Sequence, residues 1–215
     1  MLEIKNLVVE DVLEIKNLKL TSSMISIEGQ SGSGKSTLLR LLNNLDDPTS
    51  GSIQLGDELI TSIPPQTLRQ KIVMVPQDPV MFDGTIRDNL LIGLKFSGSE
   101  NVADDKLKET LELLWVDKDL DTKASELSGG EKQRVALGRV LLMEKAEVYL
   151  LDEPSSDLDD QTSAHVMKKF IETAKKHNKQ MIMVTHDKRV SEKFADTVIN
   201  MDQYSKQIKK EEEEL

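Results

Sequence analysis

The sequence predicts an α/β fold, and three observations carry the prediction. Short apolar runs alternate with helical periodicity at 24–45 and again at 146–185, the pattern of a mainly parallel sheet covered by helices. Ahead of them, 2–9 and 12–20 are β-branched or leucine-rich segments separated by Glu10-Asp11, a strand pair with a tight connection. Between the two alternating stretches, from 84 to about 145, strand texture gives way to helical periodicity, so an all-helical piece is inserted into the α/β core.

The strand 24–28 delivers a glycine-rich loop and then a helix that begins near Lys35. The run Asp46-Asp-Pro-Thr-Ser-Gly51 is expected to stop that helix, since Pro48 cannot continue it and Gly51 suits a turn. Further strands are expected at 52–55 and 71–75, with Pro64-Pro65 opening a short helical turn between them. In the insertion, Leu107, Leu111 and Leu114 recur at i, i+4, i+7, and a helix over about 130–143 carries Val135, Ala136, Val140 and Leu141. A strand at 148–151, a helix over about 161–177 with Met167, Phe170, Ile171 and Ala174 on one face, and a strand at 181–185 complete the alternation. The charge run 209–215 reads as a solvated end, and 215 residues suit one domain.

Three stretches carry chemistry. Gly29-Gln30-Ser31-Gly32-Ser33-Gly34-Lys35-Ser36-Thr37 fits G-x-x-x-x-G-K-[ST] without a gap. Its glycines let successive N–H groups turn inward, and the following helix adds the positive end of its dipole, which makes a cradle for phosphate. Lys35 would place its ammonium on the β- and γ-phosphates, and the Ser36 hydroxyl is the expected Mg²⁺ ligand. Val148-Tyr-Leu-Leu-Asp152-Glu153 is a buried-strand pattern ending in two acids, at the end where such sheets hold ligands. Asp152 is placed to hold Mg²⁺ directly or through water, and Glu153 to orient or polarise an attacking water. In Leu127-Ser128-Gly129-Gly130-Glu131, Ser128 and Glu131 have the spacing of a capping box. Glycine in a first turn costs up to about 1 kcal/mol each, which a plain cap does not need. Gly129 and Gly130 instead allow close backbone approach by a ligand at a helix N-terminus, an anion such as a γ-phosphate.

With these residues in this order, the chain resembles the nucleotide-binding subunits of ATP-binding cassette (ABC) transporters over essentially its whole length. The 29–36 stretch is similar to the Walker A loop, Gln77 in Val75-Pro-Gln-Asp-Pro79 to the Q-loop, and 127–131 to the signature. The 148–153 stretch is similar to Walker B, Ser155-Ser-Asp-Leu-Asp159 to the D-loop, and His186 in Val184-Thr-His-Asp187 to the switch histidine. The resemblance implies a P-loop NTPase (RecA-like) core of about 1–79 and 146–203 with an antiparallel β subdomain. It further implies an inserted α-helical subdomain of about 80–145, and the charge run places a charged tail at 204–215.

It also implies hydrolysis of ATP with Mg²⁺. Lys35, Ser36 and Thr37 would hold phosphates and metal, with Ser36, Gln77 and Asp152 around the metal and Gln77 sensing it and the water. Glu153 would be the catalytic base or water-positioner, and His186 would contact the γ-phosphate. A head-to-tail homodimer is implied on ATP binding, in which Ser128, Gly129 and Gly130 of one chain close over ATP held by Lys35 of the other. Two positions depart from the family pattern. No aromatic residue precedes the phosphate loop to stack on adenine, and with Val9 as the nearest apolar substitute weak purine discrimination is expected. Asp157 stands where the D-loop usually has alanine, which puts a carboxylate at the expected seam. His165 and His177 read as surface residues.

With 28 basic and 38 acidic residues the formal net charge is −10, which argues against a nucleic-acid partner. No apolar run approaches the roughly 20 residues of a membrane span, and Met1-Leu-Glu-Ile-Lys lacks a signal-peptide pattern. The expected location is cytoplasmic, peripheral on the inner face of the cell membrane, held there only through a transmembrane permease subunit. The absence of cysteine excludes disulfides and thiolate metal sites. The 79–90 segment resembles the region that in exporters faces the transmembrane coupling helices. The short chain and Val184-Thr-His-Asp-Lys188 resemble the small ATPase subunits of bacterial metal-efflux systems, with importer use open because the partner selects the substrate. A DNA-repair or chromosome-associated ATPase of the same superfamily would need a long coiled coil between Ser36 and Val148. A translation-associated relative carries two cassettes in one chain, and a P-loop kinase leaves 127–131 unexplained.

Overall fold

A computed structural model describes residues 1–98 and 102–208. The strands β1 (Leu2–Val9) and β2 (Leu13–Leu20) pair antiparallel, and β3 (Met24–Glu28) then starts a second sheet before α1 (Lys35–Leu42). The chain returns to the first sheet with β4 (Ser50–Leu55) and β5 (Glu58–Leu59), giving the order β2-β1-β4-β5.

Two boundaries differ from expectation. The first helix stops at Leu42, with Asn43 as C-cap and Asn44 at φ 49°, ahead of the proline-containing run. Asparagine tolerates the left-handed region, so Asn44 can close a helix without glycine or proline. Gly51 lies inside β4 rather than in a turn, at φ 93°, where the β1–β4 register shifts between Lys5 and Val8. A Cβ at Gly51 would stand 2.3 Å from the Asn6 carbonyl oxygen, so the bulge requires glycine.

After α2 (Pro65–Lys71), which starts with proline at its first position, β6 (Ile72–Val75) enters the second sheet. Three helices follow, α3 (Ile86–Phe96), α4 (Asp104–Leu113) and α5 (Gly129–Leu141). Thr85 and Asp88 form a capping box on α3. Arg139 of α5 donates to the carbonyls of Asn89 (2.8 Å) and Val80 (2.7 Å), tying 80–89 to α5, and burial pushes its pKa down to about 10. The chain then forms β7 (Val148–Asp152), α6 (Asp160–Lys176), β8 (Gln180–Val184), α7 (Lys188–Phe194) and β9 (Thr197–Asn200). The second sheet has the order β6-β7-β8-β3-β9 with all neighbours parallel.

Alternate residues of its central strands enter two cores. Tyr149, Leu151, Met181 and Met183 join the cluster with α3–α6, whereas Val148, Leu150, Ile182 and Val184 join that of α1 and the antiparallel sheet. All five β7 residues are buried, which fixes the height of the acids at its end. Phe170 of α6 is fully buried, and truncating such a residue to alanine costs about 3–5 kcal/mol. The stretch 204–208, expected to open the charged tail, is docked instead. Ser205 is buried and bridges to Leu13, because Lys206 donates its N–H to the Val12 carbonyl (3.0 Å) at the free edge of β2. The run 209–215 lies outside the described residues. Among the described residues no helix is long and apolar enough to cross a membrane.

Candidate functional site

The phosphate loop leaves β3 at Glu28, and α1 begins at Lys35 with Gly34 (φ 89°) as N-cap and no side-chain cap. An uncapped first turn leaves N–H groups for an anion, and the buried Ser33 hydroxyl above it has no partner. Lys35 is 8% exposed and folds back over the loop, donating to the carbonyls of Gly29 (2.8 Å) and Gln30 (2.7 Å). The Gln30 N–H donates to Asp202 at 2.8 Å, so Gln30 shapes the loop with both backbone groups. Ser31 and Gly32 are exposed at the loop's crest, and Thr37 is half-buried on α1.

The second component comes from the carboxyl ends of β7 and β8. Ser36 donates to an Asp152 carboxylate oxygen at 3.1 Å. Burial raises the Asp152 pKa; the Ser36 hydrogen bond opposes this, the neighbouring Glu153 charge adds to it, and Lys35 opposes it. An acid with this bias gains from a cation. One carboxylate and one hydroxyl suit Mg²⁺, which keeps waters and substrate phosphates as its other ligands. Glu153 sits at φ 46°, in the left-handed region, its N–H held by the Val184 carbonyl at 3.0 Å. Its carboxylate lies 3.2 Å from His186 Nε2. Both line an open cleft of about 430 Å³ with Ser155, Thr185 and Asp187. Asp187 caps α7 and is held below the usual carboxylate range by Arg189, which fixes the turn carrying His186.

Lys35, Ser36, Asp152, Glu153 and His186 are therefore brought together at the carboxyl ends of β3, β7 and β8, in the middle of the parallel sheet. Gln77 is exposed just beyond β6, the strand beside β7, and no hydrogen bond joins it to either acid. Ser128, Gly129 and Gly130 stand apart at the start of α5. The capping box is made: the Ser128 hydroxyl accepts from the Glu131 N–H (3.3 Å), and the Ser128 N–H donates to the Glu131 carboxylate (2.8 Å). The two glycines were expected to open toward a ligand, but within the chain they accommodate the 157–158 turn. A Cβ at Gly130 would lie 2.9 Å from the Asp157 carbonyl oxygen, and one at Gly129 3.0 Å from the Asp157 carboxylate. Asp157 thus lies against its own α5 N-terminus, where a negative charge is favoured. His177 is exposed as expected, whereas His165 stacks on Trp115 with ring centroids 3.7 Å apart. The residue that sequence reasoning missed is Asp202, 172 positions from its partner and inside no motif.

A family model described as ABC transporter matches residues 16–156. The methionine import ATP-binding protein MetN of Staphylococcus haemolyticus is 35% identical over 90% of this chain and 59% of that protein. The energy-coupling factor transporter ATP-binding protein EcfA2 of Bacillus cereus is 36% identical over 82% of this chain and 62% of its own length. The chain therefore spans less than two thirds of these curated relatives. Among solved structures, the ATP-binding cassette MJ0796 as a dimer in a post-hydrolysis state bound to ADP and Pi is 26% identical. It matches with a TM-score of 0.82 over 96% of this chain and 95% of that one. A bacterial Atm1-family ABC exporter with ATP bound is also 26% identical, with a TM-score of 0.81 over 94% of this chain and 37% of that one. With a family model matching residues 16–156 and relatives 35% and 36% identical over 90% and 82% of its length, the chain belongs to the ABC transporter family.

Proposed function

We propose that the chain is an ATP-hydrolysing subunit that binds MgATP at the interface of a head-to-tail dimer of two copies and drives a separate transmembrane permease subunit. The observation that carries this reading is the meeting of Lys35, Ser36, Asp152, Glu153 and His186 at the carboxyl ends of the central strands, beside an uncapped helix N-terminus. Lys35, held over the loop by the carbonyls of Gly29 and Gln30, turns its third N–H to phosphate oxygens. Ser36 and Asp152 would hold Mg²⁺, with Gln77 at the neighbouring strand end as a further ligand. When bound, the metal supplies charge neutralisation on the phosphates. Glu153 orients a water and takes up its proton, and His186, already in contact with Glu153, fixes that carboxylate and reaches the γ-phosphate. Ser128, Gly129 and Gly130 of a second copy complete the site and exclude water.

The membrane connection is peripheral, on the cytoplasmic face, through the permease. The exposed Val80 and Phe82, next to Gln77, are the surface offered to it. The narrower likeness to metal-efflux ATPases rests on chain length and 184–188 alone, and the relatives' names include both an importer and an exporter. The reading accordingly leaves cargo and direction to the permease.

The test is Glu153→Gln, which keeps the shape of the side chain and removes the base. It should bind ATP, release phosphate at least about 100-fold more slowly, and accumulate as an ATP-bound dimer on size exclusion. Near-normal turnover would show that Glu153 does not activate the water.

A further inference from the structure

We propose that Asp202 is a positioning residue for Lys35, acting through the single peptide unit between Gly29 and Gln30. This rests on reading 29–37 as the nucleotide loop. That peptide is held at both ends: its N–H, from Gln30, donates to Asp202 Oδ1 at 2.8 Å, and its carbonyl, from Gly29, accepts Lys35 Nζ at 2.8 Å. A carboxylate on the donor end and an ammonium on the acceptor end polarise the amide in the same sense, so the two hydrogen bonds strengthen each other. The carboxylate also packs flush on the loop, since a Cβ at Gly29 would lie 2.8 Å from Asp202 Oδ1.

Asp202 is itself fixed. Register pairs Asn200 with Glu28, so β9 ends level with the phosphate loop. The Asn200 side chain accepts from the Asp202 N–H at 2.9 Å, and beyond it the Ser205–Leu13 bridge and the Lys206 N–H to Val12 carbonyl bond pin the segment to β2. Without the carboxylate the Gly29–Gln30 peptide is free to rotate, glycine having little torsional preference, and the ammonium loses one of its two carbonyls. Lys35 then no longer waits at the phosphate position, and nucleotide must order it on binding.

Two variants separate this from a general structural role. Asp202→Ala removes the acceptor, whereas Asp202→Asn keeps an oxygen that can still accept from Gln30. In the nucleotide-free full chain, acetylation of Lys35 by an N-hydroxysuccinimide ester, followed by mass spectrometry, should rise several-fold in Asp202→Ala. It should stay near the parent rate in Asp202→Asn, with Lys206 unchanged in both. KM for ATP should rise about tenfold in Asp202→Ala with kcat within about twofold, and Asp202→Asn should recover most of that loss. Parent-like Lys35 labelling or parent-like KM in Asp202→Ala overturns the proposal, as does a parallel rise at Lys206, which would mean that the segment has merely loosened. If the unsubstituted chain binds no ATP, the proposed function fails, while the labelling still decides whether Asp202 holds Lys35.

Discussion

Replacing Glu153 with asparagine should abolish hydrolysis and make the nucleotide-free protein more stable. Glu153 occupies the left-handed region at φ 46°, which costs a residue with a β-carbon about 1–2 kcal/mol. Asparagine tolerates that region, so much of the cost is recovered, whereas glutamine leaves it in place. The shorter side chain also gives up the 3.2 Å approach to His186. With the histidine side chain 62% exposed, that contact is worth about 0–1 kcal/mol at most. Removing the Glu153 charge takes away one of the influences that raise Asp152, a small gain for both variants. The balance for Glu153→Asn is a gain of about 1 kcal/mol, or roughly 2–4 °C in Tm for a chain of this size. Glu153→Gln should melt within about 1 °C of the parent. Calorimetric or circular-dichroism melts at pH 7.5 without nucleotide or Mg²⁺ measure this, alongside phosphate release. An asparagine variant that melts at or below the parent, with glutamine unchanged, would refute the claim that this backbone is strained to aim the carboxylate.

Asp152→Asn should also stabilise the nucleotide-free protein, and with a pH signature. Burial raises the Asp152 pKa, so the folded state favours the neutral acid; this stabilisation is complete below the unfolded value near 3.9 and lost as pH rises through the folded one. The Tm advantage of the asparagine variant should therefore be present at pH 7 and vanish near pH 4, together with loss of Mg²⁺-dependent ATP binding at pH 7; an advantage equal at both pH values would contradict it. Asp157→Ala should weaken the monomer slightly, by about 0.3–1 kcal/mol, because a carboxylate leaves the α5 N-terminus. Made in the Glu153→Gln background, it should tighten the ATP-bound dimer several-fold in sedimentation equilibrium, since the helix end is then free for phosphate. An unchanged dimer constant would reject a role for Asp157 at the seam.

The parts of this protein that were legible in the sequence are those set by short-range pattern. The run 148–151, apolar at every position, has the pattern of a strand buried on both faces, and Gly29 to Thr37 fits a phosphate cradle between strand and helix. The short strand β5, at Glu58–Leu59, and the edge strand β9, at Thr197–Asn200, escaped because neither carries a period long enough to register. The helix stop at Asn44 was missed for a different reason: proline and glycine downstream gave a louder signal than an asparagine that terminates by conformation. Contacts between distant segments left no local trace. Asp202 on Gln30, Trp115 on His165 and Asp157 on Gly129 each depend on a fold that brings unrelated stretches together.

Several of the groups assigned to phosphate chemistry already have a partner within the chain. Ser36 is on Asp152, Ser128 on Glu131, Glu153 beside His186, and the α5 N-terminus beside Asp157. Binding nucleotide therefore exchanges partners more than it creates bonds, and each exchange contributes only about 0.5–1.5 kcal/mol, or a little more where charge is involved. The unexchanged reserve is the first turn of α1, which no side chain caps, and the buried Ser33 hydroxyl. Affinity in a single chain should accordingly be modest and centred on that turn. In the dimer proposed above, the exchanges at the α5 N-terminus, at Ser128 and beside Asp157, would become favourable only when a second copy brings a phosphate to them. Such a dimer, its two halves each satisfied alone, would close cooperatively, which would tie the step that excludes water to the presence of both ATP and a partner chain.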